Sequence, residues 1–498
     1  MEMTLRPEIA RYPLAEQTRQ FLRETTFGHF IEGEMTPSQS GETLPVHEPA
    51  SGLEFARIAA GSRADVDRAV RSARAAFDDG RWRNLAPAHK EKCLRKLSAL
   101  LDGQRDLLSD LDVLDGGVIR GYSQFMVQFG IDIVDYYAGW PTKLHGSLAP
   151  STPDLIVQEV REPIGVIGVI MPWNGPSAVP LGVIPALACG NSVVLKPSEE
   201  TPLTAIVLAR LCIEAGIPPG VVNVVHGVGE TAGAALVEHP FVDAISFTGS
   251  GDTGRRIQAA ASARVKRVSL ELGGKSPHIV FKDADLDAAA VAVASAVWGH
   301  SGQVCTAGTR VLIERSVHDE LVSRVVAASR SLKIGSGFDP TTQIGPLISK
   351  AQLERVCRYV AIGRKEGATL ALGGSRHGDQ GYFHEPTVFT GVNNDMTIAR
   401  EEIFGPVIAV IPFDTEEQAY AIANDTEFGL AAGVWTRDLS RAHRASQRLR
   451  AGTVWVNTYQ MVNPAVPYGG VKQSGSGRNL GEASIHELTQ TKVVWIKI

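Results

Sequence analysis

The sequence predicts an α/β protein: a doubly wound parallel sheet, a second α/β domain and a small β extension. Three observations lead there. Between Gly165 and Leu270, five short runs rich in β-branched residues alternate with helical periods. A second alternating region runs from about Val317 to Val456. Two β-rich segments, Asp154–Val160 (DLIVQEV) and Lys492–Ile498 (KVVWIKI), stand apart from both and would be sticky edges if left unpaired.

Taken in chain order, Arg63–Asp79 and His89–Leu101 carry amphipathic helical periods. The five expected strands are Gly165–Ile170, Ser192–Leu195, Val221–Val225, Asp243–Phe247 and Lys266–Leu270. The helices between them lie near Ala178–Cys189, Thr201–Ala215, Thr231–Glu238 and Asp252–Ala261. One of these is marked at both ends, with Thr201 as N-cap, Pro202 as first helical residue and Gly216 as the stop. Beyond them, Ala284–Ala296 reads as a helix, Thr309–Glu314 as a strand, and TLALGG and PVIAVIPF as strands of the second region.

Composition narrows the function classes. The 498 residues include 49 Lys and Arg against 54 Asp and Glu, a net charge of −5, which gives no electrostatic footprint for nucleic acid or an anionic membrane. The apolar stretch Ile164–Gly190 is interrupted by Pro172, Pro176, Pro180 and Pro185, so it reads as a buried strand, loop and helix instead of a membrane span. The N-terminus carries acids and lacks an apolar core, unlike a signal peptide. Five cysteines without a CxxC pair suggest reduced thiols in the cytoplasm, with neither a disulfide framework nor a metal site.

Two loops carry candidate chemistry. Gly249-Ser250-Gly251-Asp252-Thr253-Gly254 is a literal GxGxxG opening a helix, where backbone N–H groups, with Ser250 and Thr253, can hold a pyrophosphate. It follows the fourth strand where such a motif usually follows the first, so a structural turn is an equal reading. Lys196 and Glu199, at the C-terminal end of the second strand, are better placed for a ribose. Cys305 sits in the polar, glycine-rich loop Gly299–Arg310, where substrate and backbone donors can approach a thiol. Cys93, Cys189, Cys212 and Cys357 lie in helical periods and read as packing residues. His300, five residues before Cys305, raises a Cys/His acyltransferase as an alternative, which the nucleotide-type sheet argues against.

Five motifs in order, Met171-Pro172-Trp173-Asn174, Glu271-Leu272-Gly273-Gly274-Lys275-Ser276, the Cys305 loop, Glu401-Glu402-Ile403-Phe404-Gly405-Pro406 and Pro467-Tyr468-Gly469-Gly470, resemble the NAD(P)-dependent aldehyde dehydrogenase superfamily. The resemblance runs from about Gly41 to the C-terminus and implies a specific set of roles. Cys305 would be the nucleophile, Asn174 with the Cys305 N–H the oxyanion donors, and Glu271 the general base that hydrolyses a thioester. Trp173, Lys196, Glu199, Gly249, Ser250, Thr253, Gln352, Glu402 and Phe404 would contact the dinucleotide. Because Glu199 would repel a 2′-phosphate, NAD is expected over NADP. The domains implied are 1–143 with 163–270 for NAD, 271–468 for catalysis, and 144–162 with 484–498 as oligomerisation strands of a homo-oligomer.

The chain departs from the family pattern in two places. His300 stands where many relatives have Asn, suggesting altered packing or a pH effect on the loop. Gly175 and Gly182 stand where relatives acting on small aldehydes have bulky residues, which predicts a wide tunnel bounded also by Val179, Tyr459, Met461 and Val462. The expected substrate is a bulky aromatic or long apolar aldehyde. A CoA-acylating enzyme is the alternative, disfavoured because such enzymes generally lack an acid at the Glu271 position. A non-catalytic structural member of the fold is a further alternative, disfavoured because Cys305, Glu271 and Asn174 are all retained.

Overall fold

Residues 6–498 are described by a computed structural model. Its first sheet has eight strands, in spatial order Gly475–Ser476, Arg267–Glu271, Ala244–Thr248, Val166–Ile170, Ser192–Lys196, Val222–Val224, His29–Ile31 and Glu34–Thr36. The middle five are the strands expected from sequence, and all pair in parallel. Val166–Ile170 and Ser192–Lys196 are buried at every position, which explains their unbroken apolar runs: helices cover both faces. The order of winding reverses between Val166–Ile170 and Ala244–Thr248, and a crevice therefore opens at their C-terminal ends.

The helices follow local signals. Arg63–Asp78 begins with a capping box in which Ser62 and Asp65 satisfy each other's free N–H groups. It lays Val66, Ala69, Val70 and Ala73 on the core. The helix expected from Thr201 starts later, at Leu203, with Pro202 itself in the cap position. Its stop is as expected: Gly216 takes a left-handed φ of +97°, open to glycine at no steric cost. Two long helices, Arg105–Gly116 and Arg120–Ala138, were not expected.

The second sheet has seven strands: Thr369–Leu372, Thr387–Thr390, Val407–Phe413, Arg310–Glu314, Pro277–Val280, Ala431–Trp435 and Thr453–Val456. Only the first is antiparallel to its neighbour. The chain passes between the two sheets twice, through 272–276 and back through 457–474. At the return, Ser474 binds the outgoing segment: its carbonyl accepts from Leu272 N at 2.9 Å and its hydroxyl donates to Gly273 O at 2.7 Å.

The two isolated β-rich segments pair with each other. Leu155–Pro163 and Thr489–Lys497 form an antiparallel ladder, extended by Ser147–Ala149. The central strand Leu155–Pro163 is thereby paired on both sides over part of its length, whereas Thr489–Lys497 is paired on one side and remains an edge strand. The faces remain open, with Leu148, Val493, Trp495 and Ile496 exposed. Among the described residues no helix is long and apolar enough to cross a membrane.

Candidate active site

The two crossings bring residues from both sheets to one place. Glu271 ends the strand Arg267–Glu271 of the first sheet. Cys305 lies in the loop that joins the helix Leu286–Trp298 to the strand Arg310–Glu314 of the second. That loop is tightly specified. Ser301 and Gly302 take φ values of +52° and +74°, and Gly302 has no room for a Cβ because the Gly405 carbonyl occupies the space. Ser301 Oγ donates to Gly345 O at 2.7 Å, and Gln303 Oε1 accepts from Ile348 N at 2.9 Å. Tyr459 Oη donates to Thr306 O at 2.9 Å.

Asn174 approaches from the first sheet, and its Nδ2 donates to Gln303 O at 2.9 Å. Cys305 Sγ lies 3.1 Å from Tyr468 Oη. Desolvation pushes the Cys305 thiol up to about 11, and the nearby Glu402 and Glu271 carboxyls push the same way. The Tyr468 hydroxyl and the Thr306 N–H oppose the shift. His300 is buried and stacks on Tyr122 with centroids 5.2 Å apart. Burial lowers it to about 4, with the Asn174 backbone acting the other way, which favours the neutral imidazole at physiological pH.

Both carboxylate oxygens of Glu271 are buried without a hydrogen-bond partner. Burial holds this acid well above the usual carboxylate range, with the Arg478 charge and the nearby Gly470 and Asn479 N–H groups, which fall short of hydrogen-bond geometry, acting against it. Gly469 lies so close that a Cβ there would sit 2.5 Å from Glu271 Oε1. Glu402 is also raised by burial, and it accepts from Gly274 N at 3.0 Å. Phe404 takes φ +60° and meets Trp173 edge-on, centroids 5.3 Å apart. Gln352 Nε2 donates to Phe404 O at 2.6 Å and Ile403 O at 3.2 Å, so its side chain fixes the Glu402–Phe404 segment.

At the crevice, Lys196 Nζ donates to Glu199 Oε2 at 3.0 Å, leaving that carboxylate one free oxygen. Ser250 caps the helix Gly251–Ser262: its Oγ accepts from Thr253 N at 3.3 Å and donates to Thr253 Oγ1 at 2.9 Å. Two glycines of the GxGxxG motif have packing explanations. A Cβ on Gly249 would meet the Phe247 ring at 2.5 Å, and one on Gly254 would meet Leu272 at 2.6 Å.

The expected tunnel residues divide. A Cβ on Gly175 would meet only Met126 Cε, at 3.1 Å, and Ala178 Cβ, at 3.7 Å. Gly182 requires a correction. Its missing side chain faces the sheet, 2.5 Å from Val169 Cγ1 and 3.1 Å from Met171 Sδ, so this glycine lets a helix approach a strand and opens no tunnel. Val179 is buried in the core cluster, Met461 is 66% exposed at the surface, and Tyr459 stacks on His278 with centroids 4.5 Å apart. Sequence reasoning missed Tyr468 and Tyr122, as well as Phe125, Met126 and Phe129. The last three, with Tyr122, lie on one side of the helix Arg120–Ala138, away from its buried positions. An i, i+3, i+4, i+7 spacing of apolar residues was the available signal.

Comparison with known proteins agrees with this geometry. The aldehyde dehydrogenase family model matches residues 35–494. The chain is 44% identical over 471 residues to the putative aldehyde dehydrogenase DhaS of Bacillus subtilis (strain 168), covering 94% of this chain and 95% of that protein. The NAD+ complex of an aldehyde dehydrogenase from Bacillus cereus superposes with a TM-score of 0.96 at 42% identity, covering 98% and 99% of the two chains. An indole-3-acetaldehyde dehydrogenase of P. syringae, in complex with NAD+ and IAA, superposes with a TM-score of 0.94 at 44% identity, covering 97% and 99%.

Proposed function

The chain belongs to the aldehyde dehydrogenase family, and from that premise we propose that it oxidises a bulky aromatic or long apolar aldehyde to the carboxylic acid with NAD. The observation that carries this reading is the meeting of a thiol, an amide donor and a buried acid from two sheets. The crevice residues fit a dinucleotide. Glu199 has an oxygen free to accept from a ribose 2′-hydroxyl and would repel a 2′-phosphate, so NADP is less favoured. Ser250, Thr253 and Gly249 edge the opposite side of the crevice, while Trp173, Gln352, Glu402 and Phe404 would hold the nicotinamide half.

In the proposed reaction, Cys305 loses its thiol proton to solvent, its sulfur bonds to the aldehyde carbon, and the carbonyl π pair moves onto oxygen. Asn174 Nδ2 keeps one N–H beyond the one given to Gln303 O, and with the Cys305 N–H it stabilises that oxyanion. NAD, when bound, would supply the acceptor for the hydride that leaves the carbon as the oxyanion pair re-forms C=O, leaving a thioester on Cys305. Glu271 then takes a proton from water, the hydroxide oxygen attacks the thioester carbon, and the C–S bond breaks to release the acid and the Cys305 thiolate. Glu271 suits this role because burial without a partner raises its basicity.

Support for the substrate class comes from the open side of Gly175 and the aromatic side of the helix Arg120–Ala138, where Phe125 is 49% exposed and stacks with Phe129. The residue ranges 1–143 with 163–270, 271–468, and 144–162 with 484–498 are proposed as the cofactor, catalytic and oligomerisation units of a cytoplasmic homo-oligomer. Five unpaired cysteines fit a reducing compartment. The direct test follows reduced-cofactor absorbance over a panel of aldehydes, with NAD or NADP, and with and without CoA. Phenylacetaldehyde-type substrates should exceed acetaldehyde in kcat/KM without any CoA requirement; the reverse ranking would reject the substrate class.

A further inference from the structure

The hydroxyl of Tyr468 lies 3.1 Å from Cys305 Sγ and makes no other hydrogen bond among the described residues. The backbone does not let it drift. Tyr468 N donates to Asn479 O at 2.7 Å and Asn479 N donates to Tyr468 O at 2.8 Å, while the following residue, Gly469, is wedged against Glu271. We infer that Tyr468 is the donor that holds the reactive sulfur, its phenolic O–H bonding to the Cys305 thiolate. The inference rests on the reading of Cys305 as nucleophile.

The surroundings leave few other groups for this task. Glu402 and Glu271 face the sulfur, and as carboxylates they oppose its ionisation. Tyr122 and Tyr459 also couple to it, but among the described residues neither hydroxyl hydrogen-bonds the sulfur, and that of Tyr459 is committed to Thr306 O. His300 is neutral and packs on Tyr122. Besides Tyr468, the Thr306 N–H favours the charged sulfur. Burial holds the Tyr468 phenol well above its usual range, which favours its protonated, donating form. In the thiol state S–H can donate to Oη. When the thiol proton leaves for solvent, the same geometry lets O–H donate to sulfur.

The test is Tyr468→Phe, which removes one oxygen and keeps the ring. The rate of iodoacetamide alkylation at Cys305, located by mass spectrometry, is measured against pH in the wild type and the variant. A hydrogen bond to the charged form predicts that the midpoint rises by about one unit in the variant, making alkylation about tenfold slower below the midpoint. Reduced-cofactor formation should fall in parallel and recover as pH is raised, which a purely structural role would not produce. An unchanged midpoint overturns the inference. Aldehyde oxidation that survives Cys305→Ala would instead overturn the reading beneath it.

Discussion

Asn174 Nδ2 donates to Gln303 O at 2.9 Å, tying the segment after a first-sheet strand to the loop of the nucleophile, 129 residues away in sequence. One side chain therefore ties down the loop and keeps a second N–H for the oxyanion role proposed above. Asn174→Ala should lower kcat about 100- to 1000-fold, the usual cost of losing one oxyanion donor. Steady-state assays beside Cys305 alkylation check this: turnover should collapse while the thiol stays reactive.

Glu271→Gln should give a burst of reduced cofactor close to one per active site and then stall, because no base remains to activate water. In the wild type, burial places the Glu271 ionisation well above the usual range, so deacylation should accelerate as pH rises through that ionisation. The variant should lose this rise. Rapid-mixing absorbance at several pH values measures both effects.

The same substitution should stabilise the fold. Glu271 is held above its unfolded-state value, so its contribution is fully present below the unfolded carboxyl range and is lost as pH climbs through the raised folded value. Above that point a buried, unpartnered carboxylate opposes folding. Thermal melts of Glu271→Gln and wild type should coincide near pH 4 and separate toward pH 9. The separation should grow in favour of the variant as pH rises, because the neutral amide never has to ionise in the buried site.

Gly175 and Gly182 should respond oppositely. Gly175→Phe should reduce kcat/KM for bulky aldehydes and spare acetaldehyde, since only the flexible end of Met126 and the Ala178 Cβ stand near the added side chain. Gly182→Ala should cost about 1–3 kcal/mol of stability by overpacking against Val169, with little change in substrate ranking. Denaturant melts and the aldehyde panel separate the two.

Val493→Asp combined with Trp495→Asp should shift the assembly toward monomer, since these exposed residues belong to the free face of the small sheet. Light scattering after size-exclusion chromatography measures the mass. A wild type that is already monomeric would refute the oligomer proposal.

The inner five strands were legible because each is a short β-branched run that a parallel sheet buries on both faces. The helix Arg105–Gly116 was not, because Asp110, Asp112 and Asp115 lie buried within it and break the apolar period. The placement of Cys305 in a loop between a helix and a strand was legible from its polar, glycine-rich surroundings. The Tyr468 contact was not, because it joins residues 163 positions apart and depends on a β-bridge between Tyr468 and Asn479 that local periodicity does not encode. Gly182 misled for a related reason: a glycine in a sequence shows a missing side chain but not the direction in which it is missing.

The junction at Ser474 has a consequence for recombination. Cys305 and Glu271 hang from different sheets, and the segments joining those sheets meet where Ser474 holds Leu272 and Gly273, with Gly429 N donating to its hydroxyl at 2.9 Å. Their alignment is therefore a property of the seam and of neither half alone. A chimera that takes residues 271–456 from a relative can keep both sheets and still misregister the chemistry. It should retain registration only when 469–476 and 271–274 come from the same parent.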